Sequence, residues 1–363
     1  FGEPGGHLDG AAQPRLIGIW PATHHVLITR RVVSPEAVAA ALALALAGVV
    51  AAATLRPDGW NVTSLPRVGA GTGLATLAHG VDHGFATVPS AGYDGQFYWA
   101  IAVDPLARGR AHAAVDKPTY RYGHPLFGWL GWLASAGRAS AAAGALFAVG
   151  LLAFAAAAAL AAALGGMRAA LFTAVSPGLL YAAVHDLAEP LSVALVLGAL
   201  LALRRSRPGI ALACCAFLPL TKEQLVVVPV VLALWTRRPW FLATLLPSVL
   251  WWIYARVHLG AWFTTGDTAL GAPFAGWKRA VLDAGVRAAG GSDEVTLIVV
   301  VALLALLSLV AVAAVRDRRR PPAALYLVLA AIAICLAPNA TVILRDALRN
   351  TALLVALVPF VRR

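Results

Sequence analysis

His124-Pro125-Leu126-Phe127-Gly128-Trp129-Leu130-Gly131-Trp132-Leu133-Ala134-Ser135-Ala136 decides how often this chain crosses a membrane. The stretch is as oily as a span, but wound as a helix it reaches only about 20 Å, against the roughly 30 Å of a hydrocarbon core. Arginines elsewhere settle the matter. Counted as a span, 124–136 would put Arg168 and the later arginine clusters across the membrane from Arg30-Arg31. Left uncounted, every cluster falls on one side, as the Lys and Arg bias of cytoplasmic loops requires. A re-entrant or interfacial element is therefore expected here.

Working outward, apolar runs lie at 36–53, 141–163, 169–184, 187–203, 208–221, 223–236, 239–257, 294–315, 322–337 and 349–361. Between them sit Arg168, Arg204-Arg205-Ser206-Arg207, Arg237-Arg238 and Arg316 to Arg320, and Arg362-Arg363 follows the last. The expected architecture is an all-α polytopic membrane protein of about ten transmembrane helices with both ends cytoplasmic. A large first external loop, 54–140, would carry interfacial helices at 95–104 and 124–136. Residues 1–32 lack the apolar core and cleavage site of a signal peptide, and 1–35 are expected to be a cytoplasmic leader, either poorly ordered or non-native. Residues 36–236 would form the functional transmembrane module, and 237–363 further transmembrane helices with an external loop at 258–293.

Composition agrees, since 60% hydrophobic and 13% charged residues exclude a soluble globule. Mean hydropathy is +0.77. The net charge of +12 would suggest a nucleic-acid partner in a soluble chain; here it follows from the arginine clusters, and no nucleic acid is expected. Cys214, Cys215 and Cys335 all lie in apolar runs without metal-ligand spacing, so neither a disulfide framework nor a zinc site is indicated.

Chemistry gathers around Gly92-Tyr93-Asp94-Gly95-Gln96-Phe97-Tyr98-Trp99-Ala100-Ile101-Ala102. Glycines flank Tyr93-Asp94 where an oily run begins, and the aromatics that follow are those of a headgroup belt. Asp94 is open to two readings, a helix N-cap or a carboxylate held at the membrane surface for chemistry. Further along the loop, Arg121 stands between Tyr120 and Tyr122, ahead of Gly123-His124-Pro125. A guanidinium fixed there suits a phosphate leaving group beside a base, or else a salt bridge within the loop.

Three more polar groups fall on the same external side. In His185-Asp186-Leu187-Ala188-Glu189-Pro190 the acids precede or open a helix, where they bind a cation, a sugar hydroxyl or only the helix dipole. Lys222 and Glu223 are sequence neighbours that point apart on a helix, so each needs another partner. Arg345, Asp346 and Arg349 share the last external loop and are candidates for a lipid phosphate, as is Arg256 with His258.

The ordered set Tyr-Asp-Gly-Gln-Phe-Tyr, Tyr-Arg-Tyr-Gly, His-Pro-Leu, Glu-Pro-Leu and Leu-Thr-Lys-Glu resembles multi-spanning glycosyltransferases of the GT-C superfamily. The branch it is most similar to includes the second mannosyltransferase of GPI-anchor synthesis and its bacterial relatives. The likeness covers about 36–236; two departures are Tyr93, where a tryptophan often precedes the loop aspartate, and His124-Pro125-Leu126-Phe127 in place of a more aromatic form. The resemblance implies a bacterial plasma-membrane enzyme that transfers a mannose-like or other hexose or pentose residue at the external face. It implies a polyprenyl-phosphate-linked donor and a lipid or glycan acceptor.

Inverting transfer would then use Asp94 as the catalytic base. Tyr93, Gln96, Tyr98, Arg121, Tyr122, His124, His185, Asp186, Glu189, Lys222, Glu223 and Arg345 become the substrate-binding candidates. No cofactor is required; a divalent cation, Mg²⁺ or Mn²⁺, would be held by Asp94, Asp186 or Glu189. The rival class is a transporter or flippase for a polyprenyl-linked lipid or small solute, which would also show short spans and polar residues at membrane depth. Charges collected at one face, and no visible inverted repeat, argue against it.

Overall fold

Ser34 accepts a hydrogen bond from the Ala37 amide and Pro35 fills the first turn, so the first apolar run starts as a capped helix, α1, Pro35–Leu55. In this computed structural model the chain is described over residues 34–264 and 269–361. The expected leader, together with Arg30-Arg31 and Arg362-Arg363, lies outside the described residues, Ser34 and Pro35 apart. The buried residues of α1 are Ala39, Ala43, Ala47, Ala51 and Leu55, one per turn, and this small-residue stripe lies against α7, Ala142–Ala174. Without a hydrophobic drive between helices in lipid, such close backbone approach supplies the packing energy.

Residues 56–141, between α1 and α7, cover most of the stretch 54–140 read from sequence as a loop. It contains α2 (Gly73–Val81), α3 (Gly95–Val103), α4 (Ala111–Ala114), α5 (Pro118–Arg121) and α6 (Leu126–Ala134). A two-residue parallel pair, β1 (Val68–Gly69) with β2 (Thr87–Val88), is its only sheet among the described residues. The deciding stretch is α6, a helix of 9 residues and therefore about 14 Å, well short of a crossing. Gly128 lets α6 close on α3, because a Cβ there would lie 2.5 Å from the Ile101 Cγ2.

The run 169–184 is not one helix. Its first part continues α7 past an interruption at Gly166 (φ 74°), and Ser176-Pro177 ends that and starts α8, Pro177–Val184. Asp186, at φ 54°, turns the chain into α9, Glu189–Arg204, at 119° to α8. Then follow α10 (Pro208–Thr221), α11 (Val227–Thr236), α12 (Trp240–Ala243), α13 (Leu246–Leu259) and α14 (Ala275–Ala289). The chain closes with α15 (Glu294–Arg316), α16 (Pro321–Ile334), α17 (Leu344–Asn350) and α18 (Ala352–Leu357).

About 74% of the chain is helical, which makes this an all-α protein. The expected count of ten spans is corrected. Among the described residues four helical segments, Pro35–Asp58, Ala139–Ala174, Trp240–Leu259 and Glu294–Arg316, are long and apolar enough to cross a membrane, or five if the bent pair α8–α9 counts as one span. Three further runs became helices of 10–17 residues, at Pro208–Thr221, Glu223–Thr236 and Pro321–Ile334. At 1.5 Å per residue these fall short of a 30 Å core, which is why apolar runs overcounted spans. One buried cluster joins α1, α7, α9, α10, α11, α16 and α18; a second, around Trp99, Ile101, Tyr122 and Phe127, ties the stretch 56–141 to α13.

Candidate functional site

The Asp94 backbone is helical (φ −59°, ψ −25°) at the start of α3, yet its carboxylate makes no capping bond. Both oxygens instead accept from guanidinium groups, Oδ1 from Arg121 Nη1 at 3.2 Å and Oδ2 from Arg349 Nη2 at 2.7 Å. Gly95 makes this placement feasible, since a Cβ at that position would meet the His185 carbonyl oxygen at 2.6 Å. A side chain would push α3 and its leading aspartate off the α8–α9 turn.

Arg121 comes from α5, whose first residue is Pro118. Its guanidinium stacks on the Phe97 ring at 3.6 Å and also pairs with Asp116 through Nε at 3.2 Å. Arg349 comes from α17, at the far end of the chain, and its Nε lies 3.2 Å from Glu189 Oε1. Lys222, extended between α10 and the next turn, donates from Nζ to that same oxygen at 2.8 Å. The result is one chain of alternating charge, Arg121, Asp94, Arg349, Glu189, Lys222. Alongside it, Glu223 Oε2 lies 3.2 Å from His124 Nδ1.

These groups line a cavity of about 230 Å³ with Tyr93, Tyr98, Tyr120 and Asp346. The Tyr93 hydroxyl donates to Asp346, and its ring is faced by the guanidinium of Arg345 at 4.4 Å. Burial pushes the Tyr93 hydroxyl pKa up, so this group stays a donor at neutral pH. Burial also pulls the Asp94 carboxyl upward, but Arg349 and then Arg121 outweigh it and hold the group well below the usual carboxylate range. Asp94 is thus ionised and, in this arrangement, a weak base. Glu189 Oε2 and Glu223 Oε1 are buried without a hydrogen-bond donor among the described residues, so two acceptors stand ready for ligand hydroxyls.

A second, apolar cleft opens from the same charges. Glu189, Lys222, Gln224, Arg349 and Asn350 line both spaces, and Leu329, Ile332, Leu336, Leu353 and Leu354 of the α16 and α18 region continue the second.

Of the residues expected from sequence, Tyr93, Asp94, Tyr98, Arg121, His124, Glu189, Lys222 and Glu223 converge on the cavity. Five do not line it. Gln96 is spent within the loop, accepting from the Gly69 amide and donating to the Ala91 carbonyl. Tyr122 is fully buried under α13, with its carbonyl accepting from Trp251. His185 stacks on Tyr181 at 4.0 Å and contacts that residue's carbonyl through Nδ1 at 2.9 Å. Asp186 is buried in the α8–α9 turn with neither oxygen bonded among the described residues, and Arg345 stands behind Tyr93.

The three carboxylates named for a cation therefore do not meet: Asp186 is off the cavity, and Arg349 stands between Asp94 and Glu189. Among the described residues no three His, Cys, Asp or Glu side chains group as a metal site. The central residue that sequence reasoning left out of its site is Arg349. It was visible only as one arginine among several, because its partners are remote in sequence.

The chain matches no protein-family model, no curated protein and no solved structure.

Proposed function

We propose that this protein is a membrane glycosyltransferase of GT-C type, which moves a sugar from a polyprenyl-phosphate donor to a lipid or glycan acceptor. The observation that carries this reading is that a charged cavity holding Asp94, Arg349 and Lys222 shares Glu189, Lys222, Gln224, Arg349 and Asn350 as lining with an apolar cleft beside α16 and α18. A ligand with a phosphate-sugar head and a hydrocarbon tail matches both halves. In this reading the cavity faces the exterior of a bacterial plasma membrane, opposite the arginine clusters at the other ends of α9 and α11.

The donor phosphate competes with Asp94 for Arg121 and Arg349, and Lys222 adds a third positive group for the leaving phosphate. As the guanidinium groups turn to the phosphate, Asp94 loses the charges that depress it and becomes a stronger base. It then takes the acceptor hydroxyl's proton while that oxygen attacks the anomeric carbon, and the carbon–phosphate-oxygen bond breaks with the electron pair leaving on phosphate. Glu189 and Glu223 accept hydrogen bonds from sugar hydroxyls. Positive charge comes from side chains, so no divalent cation is needed in this scheme.

The test is incubation of the purified protein with labelled polyprenyl-phosphate sugars and candidate acceptors, with and without chelator. Labelled product that forms and survives chelation supports the reading; loss on chelation moves the leaving-group role to a cation. Label that crosses a vesicle membrane without product would assign the chain to a transporter or flippase instead.

A further inference from the structure

At the other end of α9 lies a larger cavity that plays no part in the scheme above. Glu189, at the start of this helix, lines the charged cavity, and Arg204, at its end, lines the second, so the two lie about 22 Å apart along the axis. The second cavity measures about 800 Å³. Its walls combine Leu200, Leu203 and Phe360 with Arg204, Arg238 and Trp235, and among the described residues no carboxylate lines it.

The polar side of this cavity is built. Arg204 Nη1 donates to the Leu164 carbonyl at 2.6 Å, which fixes the guanidinium where α7 bends near Gly166. The Arg238 guanidinium lies 5.8 Å from the Trp240 ring, and Trp235 Nε1 donates to the Arg319 carbonyl. The last bond ties the end of α11 to the connection between α15 and α16. Arg205, Arg207, Arg237, Arg316, Arg318, Arg319 and Arg320 belong to the same segments, against one acid, Asp317. Oily walls, an interfacial tryptophan and two guanidinium groups, with no acid in the lining among the described residues, are complementary to a phosphodiester on acyl chains.

We propose that this cavity binds an anionic phospholipid of the inner leaflet, with the headgroup phosphate between Arg204 and Arg238 and an acyl chain along Leu200, Leu203 and Phe360. The site is independent of sugar transfer: it would hold its lipid whether or not the other cavity is a transferase.

Native mass spectrometry of the full chain, purified in detergent and given equal palmitoyl-oleoyl phosphatidylglycerol and phosphatidylcholine, reads this directly. The phosphatidylglycerol adduct should dominate. Each arginine near an anionic headgroup is worth about fivefold, so Arg204→Gln with Arg238→Gln should cut retention about 25-fold. Arg205→Gln with Arg207→Gln, outside the cavity lining, should cut it about fivefold or less. Should the first pair fail to fold, Leu203→Trp keeps every charge, fills the apolar wall and should expel the lipid. Equal retention of the two lipids, equal loss from both arginine pairs, an unaffected Leu203→Trp, or displacement by millimolar inorganic phosphate would overturn the proposal.

Discussion

Arg349 donates to Asp94 across 2.7 Å although 255 positions separate them in the chain. The bond joins the residue that precedes α3, in the stretch 56–141, to α17. It also places a single guanidinium between two carboxylates, because the same side chain reaches Glu189 at 3.2 Å. In a low-dielectric surrounding such a cation offsets both acids and fixes their spacing, and removing it leaves Asp94 with Arg121 alone and Glu189 with Lys222 alone.

Arg349→Gln should lower stability by roughly 2–3 kcal/mol, below the 3–5 typical of a fully buried pair, because Asp94 is 32% exposed. Asp94→Asn in the same chain should recover part of that loss, since the amide no longer needs a cation. Thermal unfolding in detergent of both single variants and the double measures the coupling. Strictly additive effects would mean that the two residues do not interact in the folded protein.

Asp94→Asn by itself should reduce sugar transfer by about 10²–10⁴ while the chain stays folded and still binds the donor. The amide keeps the shape of the carboxylate but cannot take a proton. Asn is as good a helix cap as Asp, so the substitution would be nearly silent if capping were its role; the side chain makes no capping bond. Single-turnover transfer assays decide between the two, and a parent-like rate would remove Asp94 as the base.

The helical class and the low, charged end of the site were legible in sequence because they depend on local pattern. Asp94, Glu189 and Lys222 each sit where an apolar run meets a Gly, Pro or polar break, and such junctions are visible one segment at a time. The span count was not, since composition alone does not say whether a run such as 169–184 is one rod or is broken at Ser176-Pro177. Gln96 and Tyr122 share a motif with pocket residues yet point elsewhere, the first into a loop staple and the second under Trp251. Spacing of one or two residues on a helix changes the face, and which face meets the cavity is set by packing against α7 and α13.

Gln96→Ala should therefore act on the loop and not on the substrate. The change leaves the buried Gly69 amide without its acceptor and the Ala91 carbonyl without its donor, a loss of about 1–3 kcal/mol. Hydrogen exchange over residues 67–92 should quicken while KM for the donor holds. A raised KM with unchanged exchange would put Gln96 back among the substrate contacts.

The pH dependence should differ between the free and donor-bound protein. A carboxyl held low by Arg349 and Arg121 contributes its ion-pair stability above the ordinary carboxylate range, near pH 3.9, and loses it only as pH falls through the lower folded value. Between about pH 5 and 8, then, this group adds no slope to stability, and it sets no acid limb in kcat/KM, which reports the free enzyme. Once donor phosphate draws the arginines away, its pKa rises, and the acid limb of kcat should lie at higher pH than that of kcat/KM. Rate profiles at saturating and limiting donor give both limbs, and coincident limbs would show that the arginines stay on Asp94 during turnover.

Ala333→Phe tests the tail of the proposed ligand apart from its head. Ala333 lines the apolar cleft of about 70 Å³ that shares Arg349 and Lys222 with the charged cavity, and it makes no polar side-chain contact there. A phenyl ring in this position takes the space of a few methylenes, and each buried methylene is worth about 0.8 kcal/mol. Displacing two of them should raise KM for a long polyprenyl donor about tenfold, while a donor truncated to a single isoprene unit, which never reaches the cleft, should keep its parent KM. Overpacking costs about 1–3 kcal/mol, so the unfolding midpoint is measured alongside to separate a blocked cleft from a weakened fold. Equal loss with long and short donors at unchanged stability would mean that the lipid tail leaves the site by another route, and the head-and-tail match would no longer support a polyprenyl substrate.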